Sequence, residues 1–215
     1  MLRAAFGALF ALSLALPAAR AEEAPTAFEG FYGGLQAGVS GTDVTLVLNG
    51  DDFDEMTTLG AEGGAFAGYA LRRGRFVGGV ELDAGVAGGS DRAEAPGLTL
   101  ELSQRAAFGV SAIAGVIVAG QDPEGTRDGG EVLLYARAGY RGLLAEVDAG
   151  GDSATDVFHG LRVGAGVGYA LTDRLSLRAE YSRLEYRDGS YGRGRSTLRV
   201  GPSGNLVSVG VRFAF

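Results

Sequence analysis

Ten charged residues recur at a spacing that places them on one side of a set of β-strands: Glu81, Asp83, Glu101, Arg105, Arg137, Arg141, Arg162, Arg178, Glu180 and Arg212. Side chains on a strand alternate faces. In these segments the charges share a face with glycines, while Val, Leu, Ala and aromatic residues take the other. If the charged faces turn inward, the chemistry on offer is ion pairing, because a buried ion left unpaired is strongly destabilising. Two arrangements meet that demand. In one, the charges form a salt-bridged plug that holds a barrel rigid. In the other, arginines exchange carboxylate partners and gate a narrow passage for ions.

Other reactive constellations are sparse. His159 is the only histidine; alternation sets it on the apolar face, and nucleophilic chemistry needs an oriented partner that its neighbours in sequence do not supply. It reads as passive. Gly164, Gly166 and Gly168 have the spacing of a nucleotide loop, but they lie within a strand and no helix follows. Asp51, Asp52, Asp54 and Glu55 lack the full spacing of a calcium loop. No catalytic residue, cofactor or metal is therefore expected.

The elements that would carry the charges follow from period-two patterning. Strands are expected over residues 31–40, 60–71, 76–87, 98–118, 132–146, 157–171, 175–186 and 206–215. Residues 72–75, 120–130 and 172–174 read as turns on one side. Residues 43–59, 88–97, 148–156 and a Gly-, Ser- and Arg-rich stretch of about fifteen residues before the last strand read as longer loops on the opposite side. The terminal strand shows the pattern plainly: Val207, Val209, Val211, Phe213 and Phe215 alternate with Ser208, Gly210, Arg212 and Ala214.

Residues 1–21 carry Arg3, an apolar run over 4–17 and small residues before Glu22. This is the layout of a secretory signal cleaved after Ala21, and its apolar run is shorter than the ~20 residues a spanning helix needs. Residues 22–215 then form one domain. The chain has no cysteine, so its stability does not come from disulfides. Its formal net charge of −7 becomes −9 when Arg3 and Arg20 leave with the signal. An acidic exported chain is a poor partner for nucleic acid. Glycine, at 38 residues, is far above ordinary usage, and inside alternating strands it suggests tight curvature and close packing in a narrow barrel.

Eight amphipathic strands, short turns alternating with longer loops, aliphatic residues on one face and glycine with charge on the other: this is the pattern of an all-β, eight-stranded antiparallel up-and-down transmembrane barrel. Phe31, Tyr69, Phe76, Tyr169, Phe213 and Phe215 fall near the strand ends that would meet the periplasmic interface, as an aromatic girdle does.

Several stretches carry a family resemblance: Phe31-Tyr32-Gly33-Gly34-Leu35-Gln36-Ala37-Gly38, Gly79-Val80-Glu81-Leu82-Asp83, the run from Gly164 through Thr172-Asp173-Arg174 to Tyr181, and the terminal Val-Gly-Val-Arg-Phe-Ala-Phe. Together they resemble the small porin-family, opacity-type surface antigens of Gram-negative bacteria. The resemblance implies an outer-membrane location and passage through periplasmic chaperones. It also implies that Phe213 and Phe215 belong to the signal read by the barrel-assembly machinery. The chain departs from the outer-membrane protein A pattern by stopping at the barrel, so no peptidoglycan-binding domain is expected. Lipid A deacylases of this architecture carry a histidine-x-serine arrangement that is missing here. The expected role is structural and surface-exposed, antigen- or adhesin-like, with a small passive channel as the alternative and a lipid-modifying enzyme as the weaker one. Outer-membrane lipids and lipopolysaccharide are the expected partners, with Arg187, Arg193 and Arg195 as the arginines whose forked donors suit its phosphates.

Overall fold

The computed structural model describes residues 27–48, 51–95, 98–120, 129–149, 152–187, 189–193 and 196–215; the expected signal segment lies outside them. Within those residues the chain forms β1 (Gly30–Leu48), β2 (Asp51–Arg73), β3 (Phe76–Ala95), β4 (Leu98–Ala119), β5 (Val132–Ala149), β6 (Asp152–Ala170), β7 (Leu175–Tyr186), β8 (Gly189–Arg193) and β9 (Ser196–Ala214). Neighbours in sequence pair antiparallel. β9 then returns to pair with β1, from Tyr32↔Ala214 to Leu48↔Leu198, and closes the sheet. β8 pairs with β9 above the stretch where β7 does, so the two share one place in the wall, and the barrel has eight staves.

The strands are longer than their apolar faces suggest. A bilayer crossing needs about 9–11 tilted residues, whereas β2 has 23 and β4 has 22. The segments expected as loops at 43–59, 88–97 and 148–156 instead continue the ladder: β1 and β2 pair out to Leu48↔Asp51, and β5 and β6 to Ala149↔Asp152. An antiparallel ladder needs only backbone donors and acceptors. Acidic composition marks where solvent begins, and hydrogen bonding runs on past that point.

Alternation sorts the wall as expected. Leu35, Val39, Leu82, Val86, Leu161, Val163, Val207 and Val209 are exposed on the outside. Toward the end where the short turns lie, Phe31, Tyr69, Phe76, Tyr169, Phe213 and Phe215 are also exposed. The rings of Phe31 and Tyr69 are 4.6 Å apart and those of Phe213 and Phe215 are 5.6 Å apart. The Phe215 N–H donates to Phe31 O at 2.9 Å, so the last residue is stitched to the first strand.

The interior is layered, which departs from a simple polar-in pattern. At the short-turn end, Ala27, Phe28, Tyr32, Phe66, Ala70, Val77, Ile117, Leu133, Tyr135 and Ala170 form one buried apolar cluster. At the far end, Ala87, Ala107, Leu143, Ala145, Phe158, Leu184, Tyr186 and Leu206 form another. The charges lie between them.

A charged belt across the lumen

The belt is built from side chains that share strand rungs with glycine or serine. Arg141 stands between Gly109 and Gly160, Arg178 between Gly168 and Gly210, Glu180 between Gly166 and Ser208, and Glu81 between Gly68 and Ser111. A narrow barrel is just wide enough for its side chains to fill, and a guanidinium crossing it needs neighbours that do not. A Cβ at Gly164 would lie 2.5 Å from Ser182 Oγ, and one at Gly166 would lie 2.5 Å from the Tyr135 ring. Gly68, Gly160 and Gly166 thus make room for the rings of Tyr32, Tyr186 and Tyr135, while others, such as Gly34 and Gly139, admit the backbone of the neighbouring strand.

Arg137, Arg141, Arg162 and Glu81 are each 1% exposed. Arg137 pairs with Glu81, reaches Glu180 at 3.2 Å through Nε, and approaches Asp83 at 3.6 Å. Arg162 reaches Glu180 at 2.6 Å and Asp83 at 3.3 Å, and its Nε donates to Ser182 at 3.0 Å. Arg178 spans the lumen to Glu81 at 2.8 Å and donates to Gln36. Arg141 pairs with Glu62 and approaches Asp83 at 3.7 Å. Two tyrosines complete the carboxylates: Tyr32 donates to Glu81 at 3.0 Å and Tyr135 to Glu180 at 2.9 Å. Glu81, Asp83 and Glu180 thus each serve groups on more than one strand, so the belt ties staves on opposite sides of the barrel.

Arg212 is held differently. Its guanidinium lies 3.8 Å from the centre of the Tyr32 ring and 5.6 Å from that of Phe28, and Arg178 lies 3.5 Å over Phe66. Aromatic faces attract a desolvated cation by about 2 kcal/mol or more. Such stacking suits a belt in which the arginines Arg137, Arg141, Arg162, Arg178 and Arg212 outnumber the carboxylates Glu62, Glu81, Asp83 and Glu180. The open space beside Arg141, bounded by Gln36, Glu62, Asp83 and Ser208 among others, is a cavity of about 20 Å³. That holds about one water molecule.

Of the ten charges singled out from the sequence, eight line this interior: Glu81, Asp83, Arg137, Arg141, Arg162, Arg178, Glu180 and Arg212. Arg105 does not. It lies on the outer wall, its side chain 59% exposed and paired to Glu146 at 2.7 Å. The reason is a bulge: β4 pairs Gln104 with Ala145 and then Ala106 with Leu144, leaving Arg105 unopposed. One extra residue reverses the facing of everything before it, and Gln104 takes the inward place. The side chain of Glu101 lies outside the described residues, as do Arg195 and the side chain of Arg193; Arg187 is described and exposed. Glu62 and Tyr32 belong to the belt and were recoverable from parity alone.

The periplasmic mouth had no sequence signal. Ala27 and Phe28 precede the first strand expected from the sequence, yet both are buried in the lumen. Arg72 donates to Ala27 O at 2.9 Å and forks onto both oxygens of Glu131 at 2.6 and 2.7 Å. Phe28 adopts φ 65, costly for a side-chain-bearing residue at about 1–3 kcal/mol, but burying its ring returns a similar ~1.5–3 kcal/mol. Its ring fits beneath Gly168, where a Cβ would approach it to 2.9 Å. Among the described residues, no group of His, Cys, Asp or Glu is placed to hold a metal ion.

A family model described as "Outer membrane protein beta-barrel domain" matches residues 6–215. The chain is 27% identical over 198 residues to a 22 kDa outer membrane protein of Rhizobium leguminosarum bv. viciae, covering 91% of this chain and 83% of that protein. It is 28% identical over 152 residues to a 25 kDa outer-membrane immunogenic protein of Brucella canis, covering 71% of this chain and 64% of that one. Among solved structures it is similar to Neisserial surface protein A, with TM-score 0.48, 24% identity, and coverage of 87% and 98% of the two chains.

Proposed function

This chain belongs to the outer membrane protein β-barrel domain family, and from that premise we propose that it is a closed barrel with a structural and surface-exposed role. It stiffens the outer membrane through a cross-braced lumen and presents its long hairpin ends to the outside, in an antigen- or adhesin-like capacity. One observation carries this reading: the belt fills the mid-lumen with ion pairs shared across strands, beside a cavity of about 20 Å³, and a conducting path needs a continuous column of water. The extended ladders supply the display element, and a relative is named for its immunogenicity.

The test is single-channel conductance of residues 22–215, the expected mature chain, refolded into a planar bilayer after gel migration with and without boiling has shown a folded barrel. A silent bilayer is the expected result. Reproducible open steps that change with Arg137→Gln would replace this reading with that of a small passive channel.

A further inference from the structure

The outer wall carries a cluster for which a braced lumen has no use. Phe108 of β4, Gly142 of β5 and His159 of β6 stand on one transverse row of the sheet. Arg187, just past the end of β7, continues the row by donating its backbone N–H to His159 O at 2.8 Å. Gly142 has no side chain, and the Phe108 ring occupies that room: a Cβ there would lie 2.4 Å from it. The Tyr140 ring sits next to this row, 6.2 Å from Phe108 and 5.9 Å from His159. Its hydroxyl is 2.5 Å from His159 Nδ1. His159, solitary in sequence, thus has an oriented partner across the β5–β6 ladder. With the phenol donating to Nδ1, the imidazole proton sits on Nε2, at the far edge of the ring.

The carboxylates on this part of the wall are already engaged, Glu185 by Arg183 and Glu146 by Arg105, each at 2.7 Å. Arg187 is exposed, and its backbone bond to His159 O sets it beside the imidazole at the outer end of this wall, so a guanidinium and an imidazole are the polar groups this row offers. Deeper in the membrane, Leu161, Val163 and Val110 are exposed on the same wall. Tyr140 shares the next deeper row with Val110 and Leu161, so from the bilayer core outward the order is aliphatic wall, the Tyr140 ring, then the row that carries Phe108, His159 and Arg187.

That order matches acyl chain, sugar ring and phosphate. We propose that this row seats the phosphorylated sugar headgroup of an outer-leaflet glycolipid. Phe108 and Tyr140 lie against the sugar ring, while Arg187 and His159 Nε2 hold a phosphate oxygen each. Tyr140 is a positioning residue, since it fixes the imidazole. A glycerophospholipid offers the phosphate but no ring for the shelf, so the glycolipid is the better occupant. The proposal rests on the outer-membrane orientation of the barrel and is independent of whether the lumen conducts.

The test uses residues 22–215 in phosphatidylcholine nanodiscs doped with diphosphoryl lipid A, its dephosphorylated form, or phosphatidylglycerol, with retained lipid read by native mass spectrometry. Folding of every variant is checked by gel migration. The wild type is expected to retain the diphosphoryl glycolipid preferentially, and H159Q/R187Q to lose about tenfold or more in apparent affinity, as the removal of two charge-assisted contacts implies. Tyr140→Phe keeps the ring and frees the imidazole, and should cost about threefold for the phosphorylated form alone. Equal retention by wild type and double variant would overturn the proposal. Equal retention of phosphatidylglycerol, or of the dephosphorylated glycolipid, would overturn the assigned ligand class.

Discussion

The lumen is closed twice, by means that differ in kind. At mid-height the belt joins Glu81, Asp83, Glu180 and five arginines through contacts that cross between staves. At the periplasmic mouth a short lead into β1 folds Phe28 into the barrel, and Arg72 latches it to Glu131. Both regions are buried to a similar degree, yet their failure modes differ. A belt ion has partners on several strands, so its removal strands other charges. The stopper hangs on one chain segment and can open without disturbing the ladder. Burial measures water exclusion, and coupling to the rest of the fold decides what losing that burial costs.

The sharpest break of this comparison is Glu81→Ala. It deprives Arg137, Arg178 and the Tyr32 hydroxyl of one shared acceptor, and stranding buried charge costs about 3–5 kcal/mol. Urea unfolding of the refolded barrel should show it; a loss below about 1 kcal/mol would mean that the belt is not coupled as described.

A steric insult to the belt's surroundings should rank next. A Cβ at Gly139 would lie 2.1 Å from Val110 O and 2.5 Å from Ser111 Cα, both backbone atoms that cannot swing aside. Gly139→Val is expected to cost about 1–3 kcal/mol in the same unfolding assay. An unchanged midpoint would show that the β4–β5 ladder yields more readily than its spacing implies.

Phe28→Ala tests the other side of the comparison. It removes about 1.5–3 kcal/mol of ring burial from the stopper, but the loss should stay local. Hydrogen exchange at the amides of residues 27–29 should accelerate, while global unfolding shifts by less than about 1 kcal/mol. A global shift as large as that of Glu81→Ala would erase the distinction between the two closures.

Arg105→Ala supplies the smallest expected effect. This arginine forms an exposed pair with Glu146, and such pairs contribute about 0–1 kcal/mol. A loss matching that of a belt residue would contradict its placement on the outer wall.

The candidate belt was legible to the extent that alternation ran unbroken. Arg137, Arg141, Arg162 and Arg178 lie on segments with uninterrupted period-two patterning, and their facing followed directly. Arg105 lay beyond a bulge. Its surroundings, Leu102, Ser103, Gln104 and Ala106, set polar Ser103, Gln104 and Arg105 side by side, so alternation is broken there and either parity can be read. The ladder ends escaped for another reason: residues such as Asp51 and Asp52 of β2, or Asp152 of β6, are poor strand formers. Backbone pairing to a neighbouring arm can hold them extended even so.

The sequence alone determined the stave count, the facing of most side chains and the outer-membrane class, because these follow from a period of two that is written locally along each strand. Tertiary structure alone decided which carboxylate each arginine meets, where Phe28 goes and which ring steadies His159. Those contacts join residues far apart in the chain. Closure of the sheet from β1 to β9 brings them within reach, and no local pattern encodes the register at which it closes.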